Sequence, residues 1–156
     1  MKININVVGL GFVGLTTALG FSEKKFKTIF VEKDLIRLNE IKKCRIPFKE
    51  PYLDKILKKN LKKNNIILSN KILFDEDKIN VVFICVGTPS KKNGSIDLKY
   101  ITSAIKEINK NVKKEKVLIV IKSTVLPGTI SKNLIKLIDK KNISICSNPE
   151  FLREGY

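Results

Sequence analysis

The sequence predicts an α/β protein built on a doubly wound parallel sheet of about six strands. Three observations carry this. Short β-branched runs alternate with segments of helical spacing along the chain, and parallel neighbours need such crossovers. Two of the runs, residues 81–86 and 117–121, are apolar throughout, as strands covered on both faces must be. A glycine-rich turn follows the first run directly, beginning at Gly9. With 156 residues the chain is expected to form one domain around one core.

Each element has its own reason. Residues 3–8 (Ile-Asn-Ile-Asn-Val-Val) form a β-branched run ended by Gly9 and read as the first strand. Residues 12–21 follow as a helix opened by glycines, with Leu15, Ala18 and Leu19 on one face. Residues 27–31 read as the second strand, and Asp34 is placed to cap a helix over 35–43. Pro47 and Pro51 interrupt any helix across 44–51. Helical spacing returns over 52–61 through Leu53, Ile56, Leu57 and Leu61. Ile66, Ile67 and Leu68 make a weakly marked strand, and residues 81–86 a strong one. After the loop 87–97 come a helix over 98–112, a strand over 117–121, a helix over 129–140 and a last strand over 143–146. No internal repeat and no flexible linker interrupt the series.

Composition excludes several chemistries. The chain has no histidine, which removes His-based triads, His-ligated metal sites and a histidine general base, and no metal site is expected. Lys+Arg 31 against Asp+Glu 15 gives a formal net charge of +16. All but three of the basic residues are lysines, scattered in pairs such as Lys24-Lys25 and Lys58-Lys59. Nucleic-acid readout favours arginine forks and a contiguous stripe, so a general attraction for anions is expected rather than a specific nucleic-acid partner. Cys44, Cys85 and Cys146 are odd in number and widely spaced, which suits free thiols in a reducing compartment. No apolar run approaches the ~18 residues of a membrane span. A soluble, cytoplasmic protein is expected.

Gly9-Leu10-Gly11-Phe12-Val13-Gly14 is a GxGxxG turn after a strand and at the start of a helix, the context of a Rossmann-type dinucleotide site. Gly9 permits the tight turn, Gly11 admits a pyrophosphate, and Gly14 allows close helix–strand packing. The helix start at Phe12 and Val13 presents free N–H groups to the anion. Glu32 ends the second strand, 21 residues beyond Gly11, where a carboxylate accepts from adenosine ribose hydroxyls and repels a 2′-phosphate. NAD is therefore expected over NADP, although Lys33 and Arg37 could each tolerate a phosphate. Two further loops, around Gly87-Thr88-Pro89 and Ser123-Thr124, leave the carboxyl ends of strands, where open α/β sheets bind ligands. Their residue types equally suit ordinary turns. Glu150 and Glu154 are one helical turn apart in the last loop, a spacing that fits paired carboxylates or a solvated loop alike.

Taken together, GLGFVG, the IPFKEP loop, CVGTPSKKNGSIDL, KSTVLPGT and SNPEFLREG resemble the N-terminal NAD-binding domain of the UDP-glucose/GDP-mannose dehydrogenase family, and the resemblance runs from Met1 to Tyr156. Such enzymes oxidise C6 of a nucleotide-linked hexose from alcohol to carboxylate, reducing two NAD+ per sugar. The resemblance implies that Gly9, Gly11, Phe12, Val13, Gly14, Glu32 and Arg37 hold the dinucleotide, with Gly87, Thr88 and Pro89 shaping its surroundings. It implies that Thr124 sits near the nicotinamide and the reacting carbon, and that Glu150 orients the water that hydrolyses a thioester. Phe151, Leu152 and Glu154 would line the sugar side, Glu154 as a further catalytic carboxylate.

The family's nucleophilic cysteine belongs to a later GxxCxxKD-type motif that these residues do not include, and none of the three cysteines matches it. The substrate-binding domain is likewise absent from the sequence. The expectation is the cofactor half of a longer, homo-oligomeric enzyme, inactive alone. UDP-glucose is the first choice of sugar and GDP-mannose the alternative. A stand-alone NAD-binding module of a split or decayed enzyme is the other class considered.

Overall fold

The computed structural model describes residues 2–150. It contains six parallel strands: β1 (Ile3–Val8), β2 (Thr28–Val31), β3 (Ile66–Ser69), β4 (Ile79–Ile84), β5 (Val117–Ile121) and β6 (Ile143–Ser147). Four α-helices accompany them: α1 (Phe12–Glu23), α2 (Leu35–Lys42), α3 (Leu53–Lys62) and α4 (Lys99–Asn111). The sheet order is β3-β2-β1-β4-β5-β6, and every pairing is parallel. This is the expected doubly wound, Rossmann-type fold. Among the described residues, no helix is long and apolar enough to cross a membrane.

Period-two alternation in β1 explains how one strand serves two cores. Ile5 and Val7 join Leu15, Ala18 and Leu19 of α1, Ile41 of α2 and Leu57 of α3 on one face. Val8 turns to the other face with Val31, Val82, Ile84, Ile119 and Ile121, under Ile101, Ile105 and Ile108 of α4. Leu10, Leu15, Leu57, Ile84, Ile105 and Ile119 are wholly buried. Burying one such side chain contributes about 1.5–3 kcal/mol. Helix α2 starts as expected: one Asp34 carboxylate oxygen accepts from the N–H groups of Ile36 (2.9 Å) and Arg37 (3.2 Å).

Two asparagines in β1 that the strand pattern alone does not justify receive a reason here. After β3 at one edge, the chain must cross β2 and β1 to begin β4, and it does so without a helix, through residues 70–78. Asn6, fully buried, donates its amide N–H to the Leu73 carbonyl (2.9 Å) and accepts from the Leu73 N–H (2.9 Å). Asn80 of β4, also fully buried, accepts from Asn4 (2.8 Å) and from the Asp75 N–H (2.9 Å) and donates to the Asp75 carbonyl (2.9 Å). These side chains supply the partners that a strand or helix would otherwise give the crossing backbone.

The structure corrects two expectations. Strand β4 spans Ile79–Ile84 rather than 81–86. The Cys85 N–H still donates to the Val8 carbonyl at 2.8 Å, but Cys85 and Val86 then leave the ladder and turn into the cleft above it. The helix expected over 129–140 is instead a π turn (Ile130–Leu134) followed by a 3-10 turn (Ile135–Leu137). Of these two turns only Leu134 is fully buried, with Ile130 and Leu137 partly buried against the same core. The amide of Asn109 in α4 caps the Leu137 carbonyl, and the Lys140 ammonium takes the carbonyls of Asn109 and Val112. The segment is therefore closed off against α4 instead of running on.

Asn6→Ala would leave the Leu73 N–H of the crossing without its partner and its carbonyl with Asn4 alone. A denaturant melt should show it destabilised by about 1–3 kcal/mol, the usual result of orphaning buried polar groups. Asn93→Ala, in an exposed turn, should stay within about 0.5 kcal/mol.

Candidate functional site

Strands β1 and β4 lie side by side, but the chain leaves β1 toward β2 and leaves β4 toward β5. The loops at their carboxyl ends therefore part, and a crevice opens between them. The Gly9 N–H donates to the Val31 carbonyl (2.9 Å), which anchors the turn to β2 as it leaves β1. Gly9 has φ +88°, a left-handed conformation that side chains other than glycine's rarely adopt. A Cβ on Gly14 would lie 1.8 Å from the Gly9 carbonyl oxygen, so α1 packs against its own entry turn at a distance only glycine permits. Gly11 differs: a Cβ there would meet nothing within 4 Å. Among the described residues no contact requires glycine at that position, and the space above it opens into the crevice. Helix α1 starts at Phe12 with no side-chain cap and no acidic residue in its first turn, leaving its first N–H groups to whatever fills that space.

On one side of the turn a cleft of about 490 Å³ is lined by Gly9, Gly11, Glu32, Lys33, Asp34, Arg37, Val86, Gly87 and Tyr100, among others. Glu32 is 7% exposed. Its carboxylate accepts from the Leu10 N–H of the glycine turn (3.0 Å) and from the Asp34 N–H (3.1 Å), and Arg37 approaches the same oxygen as Leu10 at 3.5 Å. The carboxylate thus ties the end of β2 to the glycine turn while facing the cleft.

On the other side a smaller cleft of about 260 Å³ gathers Gly11, Phe12, Val13, Gly87, Thr88, Thr124 and Glu150, together with Cys85, Lys122 and Ser123. The loops here are bolted to each other. Ser123 donates its hydroxyl to the Val86 carbonyl (2.6 Å) and Thr88 donates its hydroxyl to the Thr124 carbonyl (3.2 Å). The Lys122 ammonium, its side chain 11% exposed, pairs with Glu150 at 3.0 Å and donates to the Asn148 side-chain oxygen at 3.3 Å. Burial pushes the Cys85 thiol up to about 12, against the opposing pull of Lys122. A thiol so protonated is a poor nucleophile.

The tertiary structure thus brings Gly9, Gly11, Phe12, Val13, Glu32, Arg37, Gly87, Thr88, Thr124 and Glu150 to two clefts that share Gly11, Cys85, Val86 and Gly87. Gly14 supports the turn from below, and exposed Pro89 lines neither cleft, its carbonyl accepting from the Asp97 N–H. Phe151, Leu152 and Glu154 lie outside the described residues. Among the described residues, no three acidic or thiol side chains gather as a metal site. The sequence marks the loop at Lys122, Ser123 and Thr124 as a ligand-side loop without giving Lys122 or Ser123 a role, and it does not single out Tyr100. Tyr100 reaches the cleft only because α4 packs across β4, which no local pattern announces.

The raised Cys85 thiol gives a pH signature. Thiolate forms only as pH nears the folded value, so at pH 8 iodoacetamide should label exposed Cys146 and spare Cys85, with Cys85 labelling appearing on unfolding; peptide mapping reads both.

The description "UDP-glucose/GDP-mannose dehydrogenase family, NAD binding domain" belongs to the family model that matches residues 3–156. The chain is 37% identical over 155 residues to UDP-glucose 6-dehydrogenase of Rickettsia typhi, covering 98% of this chain and 35% of the relative. It is 37% identical over 165 residues to GDP-mannose 6-dehydrogenase of Pseudomonas aeruginosa, covering 98% of this chain and 37% of the relative. Among solved structures it is similar to a ternary complex of GDP-mannose dehydrogenase from Pseudomonas aeruginosa, with a TM-score of 0.82 and 34% identity, covering 99% of this chain and 37% of that one. The chain spans about a third of the length of these relatives. A glycine turn open at Gly11, an uncapped helix start and a buried carboxylate at the end of β2 agree with that match, and the chain belongs to the UDP-glucose/GDP-mannose dehydrogenase family as its NAD-binding domain.

Proposed function

We propose that these residues hold NAD+ for a nucleotide-sugar 6-dehydrogenase that converts UDP-glucose to UDP-glucuronate, and that they do not oxidise the sugar by themselves. The observation that carries the cofactor geometry is the open space at Gly11, over the uncapped start of α1. The N–H groups of Phe12 and Val13 would receive the pyrophosphate there. Glu32 would accept from the adenosine ribose. Three donors already use most of its roughly four acceptor positions, and exposed Arg37, the most distant of them, is the one that would give way.

When bound, NAD+ supplies the hydride acceptor. The chain's own contribution lies in the smaller cleft. Thr124 would flank the reacting carbon, its carbonyl held by Thr88. Glu150, kept close by Lys122, would orient a water. Phe151, Leu152 and Glu154 are proposed for the sugar side, and assembly into homo-oligomers is proposed for the longer enzyme. A reducing, cytoplasmic setting belongs to the same reading, supported by three free thiols. The likeness to a GDP-mannose 6-dehydrogenase at 37% identity favours GDP-mannose as the second reading of the substrate.

Calorimetric titration tests the reading. The chain should bind NAD+ saturably and form no NADH when UDP-glucose or GDP-mannose is added; NADH formation would refute the proposed inactivity. A sugar nucleotide that tightens NAD+ binding identifies the substrate class. Glu32→Ala should weaken NAD+ by about 1–3 kcal/mol through lost ribose hydrogen bonds, and an unchanged affinity would remove Glu32 from the site.

A further inference from the structure

We infer that Glu107 of α4 sets the preference of this cleft for NAD+ over NADP+ by withholding the Lys33 ammonium from a 2′-phosphate, a proposal that rests on the NAD+ reading above. Lys33 follows Glu32 at the end of β2 and lines the same cleft. An extra phosphate on the ribose brings close to two negative charges at neutral pH, and NADP sites meet it with a cation beside the β2 end. Lys33 and Arg37 are the cations lining this cleft.

Both are already held by carboxylates. Arg37 approaches Glu32 at 3.5 Å. The Lys33 ammonium sits 2.6 Å from one Glu107 oxygen, in a pair whose lysine side chain is 57% exposed and whose glutamate is 17% exposed. The asymmetry matters. Lysine on its flexible stem could swing to a phosphate, but Glu107 is fixed, because its other oxygen accepts from the N–H of buried Ile72 in the β3–β4 crossing at 3.2 Å. Glu107 therefore neutralises the mobile cation that a 2′-phosphate would otherwise recruit. Glu32 repels that phosphate directly; Glu107 denies it a partner.

Glu107→Gln keeps an oxygen for the Ile72 N–H and removes the charge. NAD+ and NADP+ affinities of the chain, measured by calorimetry at low ionic strength, should then diverge from wild type. NADP+ should tighten about five-fold, the scale of one partly exposed ion pair, while NAD+ stays within about two-fold. Adding Lys33→Met should cancel the gain. A purely structural role for Glu107 would lower the melting temperature without moving the NADP+/NAD+ ratio. An unchanged ratio in a folded Glu107→Gln chain, or a gain that survives Lys33→Met, would overturn the proposal. Wild-type chain that binds neither dinucleotide would overturn the NAD+ reading together with this one.

Discussion

Helix α1 rests on the Gly9 carbonyl through Gly14, and most of the domain is arranged around that contact. Because Gly14 has no side chain, the helix comes close enough to pack on β1 and β2 with the Gly9 backbone and Cys85 beneath it. Its first residues, Phe12 and Val13, then line the smaller cleft with their N–H groups uncapped by any side chain. A Cβ at that position would have to displace backbone rather than a flexible side-chain end. Moving the helix outward would in turn unseat Leu15, Ala18 and Leu19, the residues that close the core over Ile5 and Val7. Core packing and the shape of the cleft at the start of α1 are thus set by the same few atoms.

Polar groups are buried in this protein where the chain has no regular way to satisfy itself. The β3–β4 crossing lacks a helix, so Asn6 and Asn80 act as substitute backbone. Glu32 does something similar at the opposite end of the sheet, where it takes up N–H groups of Leu10 and Asp34 that no strand pairs. Neither arrangement is optional in a low-dielectric interior. The second also leaves a negative charge facing the cleft, where the proposed NAD+ reading puts the adenosine ribose, so one residue would be both a structural tie and a ligand group.

Lysine dominates the surface, yet the cations nearest the cleft are individually restrained. Lys33 is held by Glu107, Arg37 by Glu32 and Lys122 by Glu150. A cleft in a chain of net charge +16 attracts any phosphate. Local pairing converts that general attraction into a choice, because an ammonium already engaged at short range offers little to a second anion. The free N–H groups at the start of α1 have no such competitor.

Much of the fold and half of the site could be read directly from the sequence. Strand and helix order, the glycine turn and Glu32 follow from local rules: two-residue and 3.6-residue periodicity, and the need for glycine where backbone must approach closely. The 129–140 segment escaped those rules because its apolar spacing is helical while its burial is not. Only Leu134 is buried, Ile130 and Leu137 reach the core only in part, and Asn109 and Lys140, distant in sequence, close the turn. The same limit applies to Tyr100 and the Lys33–Glu107 pair. Each depends on which helix crosses which strand, and a pattern confined to neighbouring residues carries no information about contacts between elements dozens of positions apart. The sequence by itself determined the parallel sheet and the glycine turn; the tertiary structure decided which charges face the cleft and which are already taken.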